Sequence, residues 1–60
     1  MKVLYYVVYI EGIPYYFSPD ELAKAIELSE DYWLIQMAYI DTDRNLWYRD
    51  YDRQRSEFVD

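Results

Sequence analysis

Two long apolar runs constrain the fold of this 60-residue chain more than any other feature. Residues 3–10 (VLYYVVYI) and 32–40 (YWLIQMAYI) are rich in β-branched and aromatic side chains, which is typical of strands. Each run is too short and too aromatic to favour a helix. Because both runs are apolar on both faces, they predict the two central strands of a sheet.

A tight hairpin follows the first run. Glu11 and Gly12 separate it from a second strand, residues 13–17 (IPYYF), and glycine in the second loop position adopts positive φ without steric cost. This turn places Ile10 opposite Ile13. The face predicted to enter the core carries Leu4, Tyr6, Val8, Ile10, Ile13, Tyr15 and Phe17. The opposite face carries Val3, Tyr5, Val7, Tyr9, Pro14 and Tyr16.

A helix start is the clearest local signal. Ser18 is the predicted N-cap, Pro19 the first helical residue, and Glu21 completes a capping box with the serine. Asp20 and Glu21 also favour the positive end of the helix dipole. The pattern predicts a helix over residues 19–29 with Leu22, Ala25, Ile26 and Ser29 on one face.

The C-terminal third is less determined. Residues 41–45 (DTDRN) predict a polar turn and residues 46–51 (LWYRDY) a fourth strand. Whether the turn counts as four or five residues decides which face Trp47 joins, and both alternatives remain open. Residues 53–60 show no clear period, which indicates a strand extension or a frayed tail.

These elements predict a single α+β domain of the order β-β-α-β-β. Pro14 cannot donate to a sheet ladder and favours an edge position for strand two, while strand four is polar enough for the other edge. The predicted fold is therefore a four-stranded antiparallel sheet of spatial order 2-1-3-4 with the helix on one face.

Composition excludes most catalytic chemistry. The chain has no histidine, no cysteine and one glycine, so it lacks the usual general base, a thiolate site and a glycine-rich phosphate loop. Asp41 and Asp43 have the spacing of a calcium loop, but the glycine and the glutamate of such a loop are missing. We predict a protein that is not an enzyme and has no cofactor or metal.

The net charge of −6 favours a basic protein surface as partner and disfavours nucleic acid and anionic membranes. The first apolar run is shorter than the roughly 20 residues of a membrane helix, and no small-residue cleavage site follows it. A cytoplasmic location is expected, in the host cytoplasm if the protein is viral.

Aromatic residues on the face away from the helix predict an interface, because large exposed apolar patches usually bind something. The candidates are Tyr5, Tyr9, Tyr16, Trp47 and Tyr51. A homodimer joined through this face is the simplest interface of this kind. Stacking platforms for RNA also expose aromatics, but they lie in basic surroundings, unlike this chain.

Acidic residues supply the second candidate surface. On a helical wheel Asp20 and Glu27 lie roughly 10 Å apart, and Glu27 and Asp31 roughly 6 Å, which is close to the spacing of successive phosphates. The full candidate set is Asp20, Glu27, Asp31, Asp41, Asp43, Asp50 and Asp52. Ordered carboxylates of this kind can occupy the basic groove of a nucleic-acid-binding protein.

The predicted function is a non-enzymatic protein–protein interaction module. Its most specific form is a small acidic viral inhibitor, a nucleic-acid mimic that binds a basic host protein or defence complex, and this form rests on analogy. The alternative is a structural homodimer or assembly component joined through the aromatic face, with acidity serving only solubility.

Overall fold

The computed structural model describes residues 1–29 and 33–59. Within them the chain forms five strands and one helix, in the order β1 (Lys2–Ile10), β2 (Ile13–Phe17), α1 (Leu22–Ser29), β3 (Leu34–Ile40), β4 (Leu46–Asp52) and β5 (Glu57–Val59). The strands make an antiparallel sheet ordered β2-β1-β3-β4-β5, and α1 packs on one face across β1, β3 and β2. The predicted α+β class is confirmed. Tyr32, the predicted first residue of the third strand, lies outside the described residues, and Trp33 forms a bend.

The predicted four-stranded sheet is wrong by one strand. Residues expected to extend the fourth strand or to fray instead turn back and pair with it as β5. The turn is fixed by Asp52, whose Oδ1 accepts the backbone N–H groups of Gln54 and Arg55 at 3.0 and 3.2 Å, and by a left-handed Ser56 with φ 53°. A three-residue strand is too short for its periodicity to be recognised in the sequence. Because β5 pairs with β4, β4 is not the edge strand that was predicted.

The β1–β2 hairpin has the predicted register, with Ile10 opposite Ile13 and Tyr6 opposite Phe17. Glu11 and Gly12 both have positive φ, 53° and 81°, as a two-residue type I′ turn requires. The predicted core face needs correction: a bulge between Val3 and Tyr5 moves Val3 onto that face, opposite Tyr39, while Leu4 has no partner in the β1–β3 register and is not part of the core cluster. The sequence pattern carries no sign of this extra residue. Ile13 and Tyr15 lie on the predicted side but are exposed.

Pro14 lies on the edge strand β2, as predicted. It pairs with Tyr9, one position beyond the pair that closes the turn. Because alternate pairs of an antiparallel ladder exchange hydrogen bonds and proline has no N–H to give, its nitrogen faces the open edge. The outer edge of the sheet therefore lacks a donor at the second residue of β2.

The helix begins at Leu22, three residues after the predicted start. The Glu21 N–H donates to the Ser18 carbonyl at 2.9 Å, which closes a turn, and the first helical bond runs from Ala25 N to Glu21 O at 3.1 Å. The predicted capping box is half formed: the Ser18 N–H donates to Glu21 Oε1 at 3.0 Å. The Ser18 hydroxyl lies 2.5 Å from Asp20 Oδ1 and 2.7 Å from Glu21 Oε1, so it contacts carboxylates rather than capping a backbone N–H. Proline fits the second position of a β-turn as well as the first position of a helix, and here the turn is formed.

The main core lies between the helix and the sheet. Its buried members are Tyr6, Val8, Ala25, Ile35, Met37 and Tyr39. Phe58 of β5 stacks on Tyr6 of β1 with a centroid distance of 5.6 Å and meets Tyr51 edge-on at 5.0 Å. Three strand spacings, roughly 14 Å, separate β1 from β5 along the sheet, so this contact requires the sheet to curve toward the helix side.

The C-terminal hairpin also closes the end of the helix. Arg53, in the turn between β4 and β5, places its Nη2 2.5 Å from Ser29 Oγ, 3.1 Å from the Trp33 carbonyl and 3.5 Å from the Ser29 carbonyl. Ser29 is fully buried and donates its hydroxyl to the Ile26 carbonyl at 2.9 Å. A cation at a helix C-terminus satisfies carbonyls that have no partner within the helix.

Replacing Arg53 by alanine is expected to lower the free energy of unfolding by about 1–3 kcal/mol, because charge-assisted hydrogen bonds to buried acceptors are lost. Urea denaturation measures the change. Arg55→Ala is the matched control: it removes the same charge, but Arg55 is exposed and its ion-pair partner among residues 1–29 and 33–59 is Glu57, at 3.1 Å. The control should cost about 0.5 kcal/mol or less. Equal losses in the two variants would contradict this role for Arg53.

Candidate interaction surface

The face of the sheet opposite α1, here called the far face, is not bare. Strand alternation and register place Val7 of β1 and Ala38 of β3 on it, in the middle of the sheet. Although α1 lies on the other side, Val7 is 1% exposed and Ala38 is fully buried. Among the described residues, side chains of the sheet itself are placed to cover them.

Three tyrosines provide this cover, and we call Tyr5, Tyr16 and Tyr48 the tyrosine roof. Tyr5 and Tyr16 meet edge to face at 5.3 Å and 74°, and the hydroxyls of Tyr5 and Tyr48 lie 3.1 Å apart. Tyr5 and Tyr48 are on strands either side of β3, where Ala38 pairs with both. The small alanine lets two rings whose backbones are roughly 10 Å apart meet above it.

The hydroxyl contact changes the acidity of Tyr5. The hydrogen bond with Tyr48 and, to a lesser degree, burial raise the pKa of Tyr5 to about 12. Tyr5 therefore keeps its proton to a higher pH than an ordinary tyrosine does, and its hydroxyl contact with Tyr48 lasts over that wider range.

The five aromatics predicted to form one surface are divided between the two faces. Tyr5, Tyr9 and Tyr16 lie on the far face, whereas Trp47 and Tyr51 lie on the helix side. The turn after β3 decides this, because Ile40 pairs with Leu46 and Trp47 therefore pairs with Tyr39. The turn thus spans five residues, which settles the alternative left open by the sequence. The same register brings Tyr48 to the far face, a residue that sequence reasoning missed.

Asp41 fixes that turn and is not a free carboxylate. Its Oδ1 accepts the N–H groups of Asp43 and Asn45 at 2.8 and 2.9 Å, and its Oδ2 accepts the Trp47 indole N–H at 2.7 Å. The hydrogen bonds from Asn45 and Trp47 hold the pKa of Asp41 below its usual value. Asp41 therefore has a structural role, and it orients an indole that is 51% exposed.

The acidic helix stripe does not have the geometry calculated for it. Asp20 lies in the turn before α1, so the spacing derived along one helix does not apply to it. Glu27 is exposed on α1, and Asp31 lies outside the described residues. Asp43 is exposed in the β3–β4 turn, on a different part of the surface.

Three acids do share one location, beside the tyrosine roof. Asp50 and Asp52 alternate onto the far face of β4, and Glu57 of β5 pairs with Asp52. We call these three residues the acidic margin. Asp50 Oδ1 accepts the Gln36 side-chain N–H at 2.8 Å, which holds it against β3. Glu57 was missed from the sequence because its segment was not recognised as a strand.

Other features of the described residues offer little chemistry. Residues 1–29 and 33–59 contain no group of three or more acids placed to hold a metal ion. No helix in this part of the chain is long and apolar enough to cross a membrane. A shallow open depression of about 530 Å³ lies beside the β4–β5 turn, and its two charged lining residues, Asp52 and Arg53, are already engaged in hydrogen bonds within the fold.

No family model, curated protein or solved structure matches this chain. Its function is therefore inferred from its own surface, in which aromatic rings and carboxylates adjoin on one face of the sheet.

Replacing Tyr48 by phenylalanine should lower the pKa of Tyr5 from about 12 toward its ordinary value near 10, because the hydroxyl partner is removed. In the native protein the pKa of Tyr5 is higher in the folded state than in the unfolded state. Its hydroxyl contact therefore stabilises the fold fully below pH 10, and this contribution is lost as the pH rises through 12. Ultraviolet absorbance of tyrosinate follows the titration. Tyr15→Phe is the control, because Tyr15 lies on the helix side; a native-like titration of Tyr48→Phe would refute the contact.

Proposed function

We propose that this chain is a non-enzymatic protein–protein interaction module that binds a basic surface of a partner protein through the far face of its sheet. The observation that carries the proposal is the adjacency of the tyrosine roof and the acidic margin on that face. Aromatic anchors and charges of one sign then lie within a single contact area.

The aromatic part of the face has the properties of a binding hot spot. Tyr16 and Tyr48 are 65% and 47% exposed, and Leu34 and Leu46 of the same face are also exposed. Tyrosine is enriched at hot spots, and rings already held in place lose little conformational entropy on binding. Contacts between the rings hold the roof before any partner arrives.

Charge supports a basic partner. The acidic margin lies on the same side of the sheet as the roof, in a chain of net charge −6. Complementary charges increase the association rate and select against acidic surfaces and nucleic acid. Pro14 disfavours strand addition at the β2 edge, which leaves the face as the more suitable contact area.

Inhibition of a basic host protein by a viral protein is the more specific form of this proposal. The support for it shifts from the helix to the sheet, because Asp20 is outside α1 while Asp50, Asp52 and Glu57 adjoin one another. The alternative is a homodimer through the same face, favoured by the exposure of Leu34 and Leu46. Such a dimer would bring two negatively charged copies together.

The double variant Asp50→Asn/Asp52→Asn tests the proposal with little change in structure, since each asparagine keeps the Oδ1 that accepts a hydrogen bond in the fold. Binding of short lysine- and arginine-containing peptides, measured by fluorescence anisotropy at low salt, should weaken roughly five- to tenfold, because exposed pairs are worth about 0.2–1 kcal/mol each. Raising the salt concentration should reduce the difference.

Glu27→Gln/Asp43→Asn is the matched control, with the same change in charge at positions outside the far face. If both double variants weaken binding equally, net charge rather than the far face attracts the peptide. A dimer that is insensitive to salt and is lost in Tyr16→Ser, measured by sedimentation equilibrium, would favour the homodimer instead.

A further inference from the structure

We infer that the far face recognises arginine in preference to lysine, and that Tyr48 and Asp50 receive one arginine side chain of a basic segment in the partner. This inference rests on the proposed function, because it uses the same face. It adds the chemistry of the residue that is recognised.

The two residues are held in a fixed relation before binding. They stand two positions apart on β4, so their side chains emerge from the same face with backbones roughly 7 Å apart. The Tyr48 hydroxyl contacts that of Tyr5 at 3.1 Å, and Asp50 Oδ1 accepts the Gln36 side-chain N–H at 2.8 Å. Each side chain is therefore braced from a neighbouring part of the sheet, which reduces the entropy lost when a ligand binds.

The pair offers a guanidinium two complementary contacts. The Tyr48 ring, about half exposed, can accept a planar cation on its face, and the Asp50 carboxylate retains acceptor capacity beyond its bond to Gln36. An arginine can stack on the ring while its N–H groups donate to the carboxylate. Lysine has a compact ammonium and cannot match the planar stacking and paired donors at once.

The chain already contains an arginine over a tyrosine on its other face. The Arg49 guanidinium carbon lies 4.8 Å from the centroid of the Tyr39 ring. Arg49 and Tyr39 belong to β4 and β3, the strands that also carry Asp50 and Gln36. The fold therefore already contains the kind of guanidinium–tyrosine contact that we infer for the ring of Tyr48.

Charge complementarity selects the occupant of this face. Asp52 and Glu57 lie on the β4–β5 side of Asp50, where Glu57 already pairs with Arg55 at 3.1 Å and Asp52 Oδ1 accepts two backbone N–H groups. Further cations of a bound segment are attracted there by the remaining acceptor capacity of Asp52 and by the net charge of −6. On the other side, the exposed Tyr16 offers a second ring. We therefore assign the site to an arginine-containing basic segment of a protein rather than to a second acidic copy of this chain.

Two fluorescent peptides of equal length and charge test the inference, one alternating arginine with glycine and the other alternating lysine with glycine. The full chain should bind the arginine peptide roughly tenfold more tightly, since the ring and the carboxylate act together on a guanidinium. Tyr48→Leu should remove this preference. Tyr48→Phe, which keeps the ring, should retain most of it, and Tyr15→Leu on the helix side should leave it unchanged. Urea unfolding of each variant verifies that it is folded.

The outcomes separate this inference from the proposed function. Equal binding of both peptides, weakened equally by Asp50→Asn/Asp52→Asn, overturns the arginine preference and leaves the basic-partner module standing. Binding unaffected by any far-face substitution overturns both. Failure of the arginine peptide to bind, or a Tyr16-dependent dimer that excludes it, also overturns the inference.

Discussion

Burial of β1 and β3 on both faces is the constraint on which the rest of this structure depends. Apart from Lys2 and Gln36, both strands carry apolar or aromatic side chains on both faces, whereas α1 is eight residues long and lies on one side. On that side α1 is joined by Phe58 and Tyr51, which curve in from the C-terminal hairpin. Among the described residues no helix or second sheet packs on the far face, so the strands must be covered by side chains of the sheet.

Tyrosine suits this task because it combines a large apolar ring with a polar end. Tyr5 and Tyr48 shield Ala38 while their hydroxyls bond to each other, so covering the strand leaves no unpaired polar group at that contact. The outer surfaces of the same rings remain accessible to a partner. Structural cover and the proposed contact area are thus provided by the same side chains, and substitutions in the roof should be examined for folding as well as for binding.

The sequence predicts the parts of this fold that depend on strand composition and on Gly12 and Pro14. The central strands, the first hairpin with its register, the edge position of β2 and the α+β class all follow from them. The errors arise where polar side chains bond to nearby backbone or to each other. The Ser18 hydroxyl bonds to carboxylates in a turn at the place where the helix was predicted to begin. Asp52 accepts a backbone N–H of the turn that leads into β5, a strand that was not predicted. Such bonds have several local solutions of similar energy, and packing selects among them.

The candidate surface, like the fold, was predictable from the sequence only in the part that the first hairpin determines. Tyr5, Tyr9 and Tyr16 lie on the expected face because they depend on the first hairpin. Tyr48 and Glu57 could not be assigned, since one requires the register set by Asp41 and the other requires β5 to exist. A five-residue count for the β3–β4 turn would have been enough to identify Tyr48.

The missing donor at Pro14 has a consequence for how this chain can assemble. An open strand edge is the usual starting point for ordered stacks in which each chain extends the hydrogen-bonded sheet of the one before. With proline at the second of five positions in β2 and only three residues in β5, neither edge is a good template for such growth. Contacts made through the face are limited by the area of one sheet, so the resulting complexes should have a defined stoichiometry instead of forming filaments.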